Sequence, residues 1–261
     1  MGVQICFDTC GDAPPQVFPL IEAQNLTKQF RGRPAVSGVS FAIPRGTVTG
    51  LLGGNGAGKS TTMRLLAGYF LPDQGHATIA GHDTARAGMA ARAALGYLPE
   101  APSGFPRLTV HEFLLFAAEC RGFSGTQARR AIGCAIEVLD LGTALNRTLG
   151  TLSKGWRQRA WLAQAILHDP PVLLLDEPAD GLDPGQRAQF RHYIRSVAHS
   201  RAVLMSTHIL EEAEAMCDRL IVMHAGRVIG AGPLSQFLDG QGRLSPALTQ
   251  VTNPADPDVT A

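Results

Sequence analysis

An apolar run, Val48–Leu52, leads directly into Gly53-Gly54-Asn55-Gly56-Ala57-Gly58-Lys59-Ser60-Thr61, and a helical pattern follows over Ser60–Ala67 until Gly68 stops it. Strand, G-x-x-x-x-G-K-S loop and helix, in that order, constrain the fold more than any other feature of the chain. The glycines let the backbone wrap so that successive N–H groups converge on a phosphate, and the helix N-terminus adds its dipole. Lys59 offers a charge to the β- and γ-phosphates of a nucleotide, and Ser60 offers a hydroxyl to Mg²⁺. No G-x-G-x-x-G follows a strand, which disfavours a dinucleotide fold.

Further short apolar runs alternate with helix patterns, as a mainly parallel sheet covered by helices requires. The core strand candidates are Val48–Leu52, Leu95–Leu98, Val172–Leu175, Ala202–Ser206 and Leu220–Met223. Val36–Ile43 and Thr78–Ala80 read as flanking antiparallel strands. Val172–Leu175 is wholly apolar, so it should be central and buried on both faces. Asp176 and Glu177 follow at its carboxyl end, the edge where α/β sheets place their ligands. Asp176 is suited to hold Mg²⁺, directly or through water, and Glu177 to polarise an attacking water. His208 follows Ala202–Ser206 and should reach the same edge, where it could contact the γ-phosphate and hold Glu177 and the water in place.

From Pro99 to about Leu167 the pattern changes to helices without a strand signal. A loop with Pro99, Pro102, Gly104 and Pro106 opens this stretch, and Thr109-Val110-His111-Glu112 forms a capping box ahead of Phe113, Leu114 and Phe116. A second amphipathic helix is expected over roughly 127–139, and a third begins at Ser153. Leu152-Ser153-Lys154-Gly155-Trp156 therefore opens a helix just before the carboxylate strand, which makes it a second anion site. It cannot serve the phosphate held by Lys59 unless two copies of the domain meet.

The 261 residues suffice for a large buried core. With 45% apolar and 17% charged residues and a net charge of +1, the chain has neither the composition of a disordered protein nor the charge excess of a nucleic-acid binder. No stretch approaches the ~18–20 uninterrupted apolar residues of a membrane helix. Asp8 and Asp12, with no Lys or Arg before Lys28, argue against a secretory signal. The cysteines (Cys6, Cys10, Cys120, Cys134 and Cys217) are scattered, as expected of free thiols in a reduced, cytosolic chain. Residues 1–19 read as a flexible N-terminal extension, 20–237 as the folded body, and 238–261 as a disordered tail rich in Gly, Ser, Pro, Asp and Thr.

With these residues in place, the chain resembles the ATP-binding subunits of ABC transporters over about residues 20–237. Gly53–Thr61 looks like Walker A, Leu152–Trp156 like the signature, and Val172–Glu177 like Walker B. Asp180-Gly181-Leu182-Asp183 looks like the D-loop, His208 like the H-loop, and Gly96-Tyr97-Leu98-Pro99-Glu100 like the Q-loop region. Asn25–Phe30 is similar to the approach to the adenine-stacking aromatic, which makes Phe30 that residue. The resemblance implies an α/β P-loop NTPase: a RecA-like, mainly parallel sheet core, a flanking antiparallel β subdomain, and an inserted α-helical subdomain at about 99–167. It also implies a Mg-dependent ATPase that closes head-to-tail with a second ATP-binding subunit, a homo- or heterodimer over two ATP. The pair would power an integral membrane permease from the cytoplasmic face of the cell membrane, with no nucleic acid involved. In each site one subunit would contribute Phe30, Gly53, Gly54, Asn55, Gly56, Ala57, Gly58, Lys59, Ser60, Thr61, Asp176, Glu177 and His208. The other would contribute Ser153 and Gly155.

The chain departs from the family pattern at three places. Phe30 replaces the usual Tyr but keeps the π-face that stacking needs. Glu100 stands where a Gln usually contacts Mg²⁺ and the attacking water, which would favour the cation and repel the γ-phosphate. The usual Leu-Ser-Gly-Gly-Gln is Leu-Ser-Lys-Gly-Trp here; with Leu98-Pro99-Glu100, this variant is similar to exporter-type bacterial subunits that have separate membrane chains. The alternatives are a non-transport ABC ATPase of a soluble assembly or repair machine, and a nucleotide-binding scaffold without turnover.

Overall fold

The computed structural model describes residues 18–245 and 248; the expected extension before residue 18, with Cys6 and Cys10, and the rest of the expected tail lie outside the described residues. Strands β1 (Ile21–Phe30) and β2 (Arg33–Ile43) form an antiparallel hairpin, followed by β3 (Thr47–Leu52) and helix α1 (Lys59–Leu66). Next come β4 (Gln74–Ile79), β5 (His82–Asp83), α2 (Gly88–Ala93) and β6 (Leu95–Leu98). Three helices interrupt the sheet: α3 (Val110–Cys120), α4 (Gly125–Val138) and α5 (Lys154–Ile166). The chain then returns through β7 (Val172–Asp176), α6 (Pro184–Ala198), β8 (Ala202–Thr207), α7 (Leu210–Met216), β9 (Arg219–His224) and β10 (Arg227–Pro233).

Two sheets result. One is antiparallel, in the order β2-β1-β4-β5, and the other runs β10-β9-β3-β8-β7-β6. In the larger sheet β9, β3, β8, β7 and β6 are parallel, and only the edge strand β10 is antiparallel. The apolar run of β7, Val172–Leu175, is explained by burial on two sides. Leu173 and Leu175 pack with the inserted helices and α6, while Val172 and Leu174 pack with α1 and the antiparallel sheet. β8 divides in the same way, with Val203 and Met205 on one side and Ala202 and Leu204 on the other. Fully burying each of the Val, Leu and Met side chains among these stabilises the fold by about 1.5–3 kcal/mol.

The five core strands expected from sequence form, each within one residue at either end. The Thr109 capping box is present: its hydroxyl accepts from the Glu112 N–H, and the Glu112 carboxylate accepts from the Thr109 N–H. β1 was not visible as a strand because a bulge at Asn25, with φ 51°, breaks the alternation between Ala23 and Leu26. Ala80 is not a strand residue as expected; it adopts φ 49° in the turn after β4.

The tail boundary also shifts. Leu238 pairs with Leu244, whose N–H donates to Glu214 Oε1 at 2.6 Å and whose side chain is buried against the core. Order therefore extends past 238, because one apolar side chain found a site that average composition does not register.

Candidate functional site

The end of β3 opens into the phosphate loop. Gly58 has φ 98°, and a Cβ there would lie 2.6 Å from the Ala35 carbonyl oxygen, so glycine is required twice over. α1 has no side-chain cap at its N-terminus, which leaves its first amides available to an anion. Lys59 is buried and donates to the Gly53 and Gly54 carbonyls at 2.7 and 3.2 Å, with Glu177 Oε1 at 3.6 Å. The loop from Gly54 to Thr61, with Ala35, Glu100 and Glu177, lines a cavity of about 440 Å³.

Parallel pairing of β7 with β8 sets Asp176 beside Ser206. The Ser206 hydroxyl donates to Asp176 Oδ1 at 2.6 Å and accepts the Glu177 N–H at 2.9 Å. One hydroxyl thus positions both carboxylate residues. In the sequence Ser206 shows only as a polar residue closing an apolar run, two positions before His208. Ser60 Oγ lies 3.3 Å from both Asp176 Oδ1 and Glu100 Oε2, so the three groups meet at one point.

Asp176 is fully buried, and burial pushes its carboxyl above the usual range, against the lowering effect of the Ser206 and Ser60 hydroxyls; the charges of Glu100 and Glu177 raise it further. Its Oδ2 is buried without a hydrogen-bond partner. An orphaned carboxylate oxygen beside a hydroxyl and a second carboxylate is a donor set that suits a hard divalent cation. Among the described residues no group of three His, Cys, Asp or Glu is arranged to hold a metal by itself. A cation here would therefore need oxygens from a phosphate or water as well.

Glu177 has φ 48°, a left-handed backbone that costs a non-glycine residue roughly 1–3 kcal/mol and is held by its surroundings. Its N–H bonds to Ser206, and its carbonyl accepts from the Asp180 N–H at 3.2 Å and from Gln158 Nε2 at 3.4 Å. The turn aims the carboxylate at the cavity, between Lys59 and His208, whose Nδ1 is 3.1 Å from Glu177 Oε2. Phe30 stands apart from the cavity lining at the exposed end of β1, its ring packed on Phe70 at 5.2 Å with a steep interplanar angle of 68°.

Ser153 and Gly155 are not among the residues lining the phosphate-loop cavity. Ser153 is exposed and caps α5, accepting from the Trp156 N–H. Trp156 offers its ring face to the Arg159 guanidinium, 3.8 Å from the centroid. Arg159 donates to the Leu139 and Asp140 carbonyls at the end of α4. The unusual Trp thus helps pin α5 to α4. A groove of about 520 Å³ lies away from the phosphate loop, between the sheet edge and the inserted helices, with Tyr69, Met89, Arg92, Tyr97 and Trp161 on its walls.

Residues 36–180 match the ABC transporter family model. The ABC transporter ATP-binding protein YxlF of Bacillus subtilis (strain 168) is 36% identical over 222 residues, covering 85% of this chain and 74% of that protein. The Nod factor export ATP-binding protein I of Burkholderia orbicola (strain AU 1054) is 38% identical, covering 85% of this chain and 73% of that one. Among solved structures, the ATP-binding subunit of an ABC transporter superposes with a TM-score of 0.78 at 32% identity, covering 84% of this chain and 91% of the other. The dimeric bacterial ABC transporter cassette MJ0796, at 22% identity and a TM-score of 0.75 over 82% of this chain and 98% of its own, shares the fold. The phosphate loop, the carboxylates at the end of β7 and these likenesses agree: the chain belongs to the ABC transporter family, as an ATP-binding subunit that hydrolyses ATP.

Proposed function

We propose that Glu177 is the base that draws the proton from water attacking the γ-phosphate of ATP, and that the chain works in an exporter. The observation that carries this reading is the placement of the Glu177 carboxylate at the cavity between Lys59 and His208. Lys59, released from the Gly53 and Gly54 carbonyls, binds the β- and γ-phosphates, and the free amides of the loop and α1 bind their oxygens. His208 holds the Glu177 carboxylate in orientation, and Phe30 stacks on the adenine. Asp176, Ser60 and Glu100 would hold Mg²⁺, which when bound would neutralise charge on the phosphates. A second ATP-binding subunit closes over each ATP, bringing its own Ser153 and Gly155 to the γ-phosphate.

Among the described residues no helix is long and apolar enough to cross a membrane. The groove beside the inserted helices supports a permease partner: Tyr69 and Met89 are largely exposed there, next to Arg92. Apolar surface rimmed by charge suits a protein contact. The export direction rests on the likeness to Nod factor export subunits and on the Ser-Lys-Gly-aromatic signature. In this reading the chain is peripheral on the inner face of the cell membrane. Tagging the chain, solubilising membranes gently and identifying what co-purifies tests it. An integral membrane chain with several spans is expected, and purely soluble partners would overturn the transport reading in favour of an assembly or repair machine.

A further inference from the structure

The signature segment and the turn carrying Glu177 meet inside one chain. Lys154 Nζ lies 2.5 Å from Asp180 Oδ2. The Lys154 stem crosses Gly181, which has φ 78° and where a Cβ would fall 2.7 Å from Lys154 Cδ. The backbones are close too: a Cβ on Gly155 would sit 3.0 Å from the Gly181 carbonyl oxygen, and 2.8 Å from the side-chain Oε1 of Gln186. Asp180 in turn bonds through its N–H to the Glu177 carbonyl, which also accepts from the buried Gln158 of α5. A continuous path therefore runs from Ser153 through Lys154 and Asp180 to the strained backbone of Glu177.

We infer that Lys154 is a positioning residue, tying the start of α5 to the turn after β7 through its ion pair with Asp180. The inference rests on the roles proposed above for Ser153 and Glu177, and deepens them. Ser153 serves the partner's ATP and Glu177 serves the chain's own, so the tie makes one subunit's two contributions move as a unit. Both side chains are about half exposed, at 59% and 48%, and such pairs add little to stability. The purpose of the pair is therefore placement rather than folding.

A double-mutant cycle in ATP turnover tests this. Lys154→Ala and Asp180→Ala should each lower kcat about two- to five-fold with KM unmoved, the range set by exposed ion pairs. The double variant should fall no further than either single one, and Lys154→Arg should restore most of the rate. A multiplicative fall in the double variant, or a loss expressed in KM alone, overturns the tie. Thermal melts accompany the cycle. If a single variant melts early, the exchanged pair Lys154→Asp with Asp180→Lys decides: its kcat must exceed that of Lys154→Asp alone, and failure to do so overturns the tie. Glu177→Gln, run in parallel, separates the two layers. Retained turnover there removes the underlying reading, whereas lost turnover with an additive cycle removes only the tie.

Discussion

Replacing Glu177 by Gln removes the proposed proton acceptor while keeping the length of the side chain. The carboxylate lies 3.6 Å from Lys59 Nζ and 3.1 Å from His208 Nδ1. At an effective dielectric near 20, a unit ion pair at such a separation attracts by about 4–5 kcal/mol. Desolvation offsets much of that for a pair this buried. Lys59 keeps its two carbonyl partners, Gly53 and Gly54, so the variant should fold with a loss of about 1–2 kcal/mol. ATP loses a competitor for Lys59, so its affinity should hold or tighten. Turnover has no such compensation, since an amide cannot take a proton from water. A kcat loss of about 10²–10⁴ is expected, a barrier rise of about 3–5.5 kcal/mol. Phosphate release at saturating ATP and Mg²⁺ gives kcat, and equilibrium titration with a fluorescent ATP analogue gives affinity. A kcat within tenfold of the unaltered protein, or a fall in affinity that accounts for the rate loss, would refute Glu177 as the base.

On the Glu177→Gln background, Ser153→Arg should abolish the ATP-induced dimer on a sizing column while leaving monomer ATP binding intact; an unchanged dimer peak contradicts the partner role of Ser153. Glu100→Gln should raise the Mg²⁺ concentration needed for half-maximal turnover by several-fold, since it removes one of the two carboxylates that share Ser60; an identical Mg²⁺ titration places Glu100 outside the metal site. Burial, reinforced by the Arg121 charge, pushes His168 down to about 4 from 6.5. The folded state then binds fewer protons than the unfolded chain, so this contribution is fully present above pH 6.5 and is lost as pH falls toward 4. His168→Gln should shrink the drop in urea midpoint between pH 7.5 and 5.0 by about 1 kcal/mol in stability, discounted for partial exposure; an equal drop in both proteins dismisses His168 as the source.

The parts of this site that were legible in the sequence are those in which local order suffices. A strand, a glycine loop and a helix in succession can only present Lys59 and Ser60 at the carboxyl edge of a parallel sheet. An apolar strand ending in Asp176 and Glu177 must deliver them to that same edge. His208 follows by the same rule. Where the periodic signal was broken, reading from sequence failed: the bulge at Asn25 hid β1, and Leu244 anchors a segment whose composition signalled disorder.

The sequence by itself therefore determined the fold class, the phosphate loop and the sheet edge that carries the chemistry, because each depends on neighbours within a few residues. Tertiary structure alone decided how those groups are held. Strand pairing brought the Ser206 hydroxyl between Asp176 and Glu177, and packing pinned Glu177 in a left-handed backbone it would not choose alone. The inserted helices brought Lys154 to Asp180 and seated Arg159 on the Leu139 and Asp140 carbonyls. These contacts join residues that are distant along the chain or on neighbouring elements, with geometry set by how sheet and helices pack. No local period encodes that geometry, which is why Lys154 acquired a physical meaning only in the folded molecule, whereas the stacking of Arg159 on Trp156 follows the helical i,i+3 spacing.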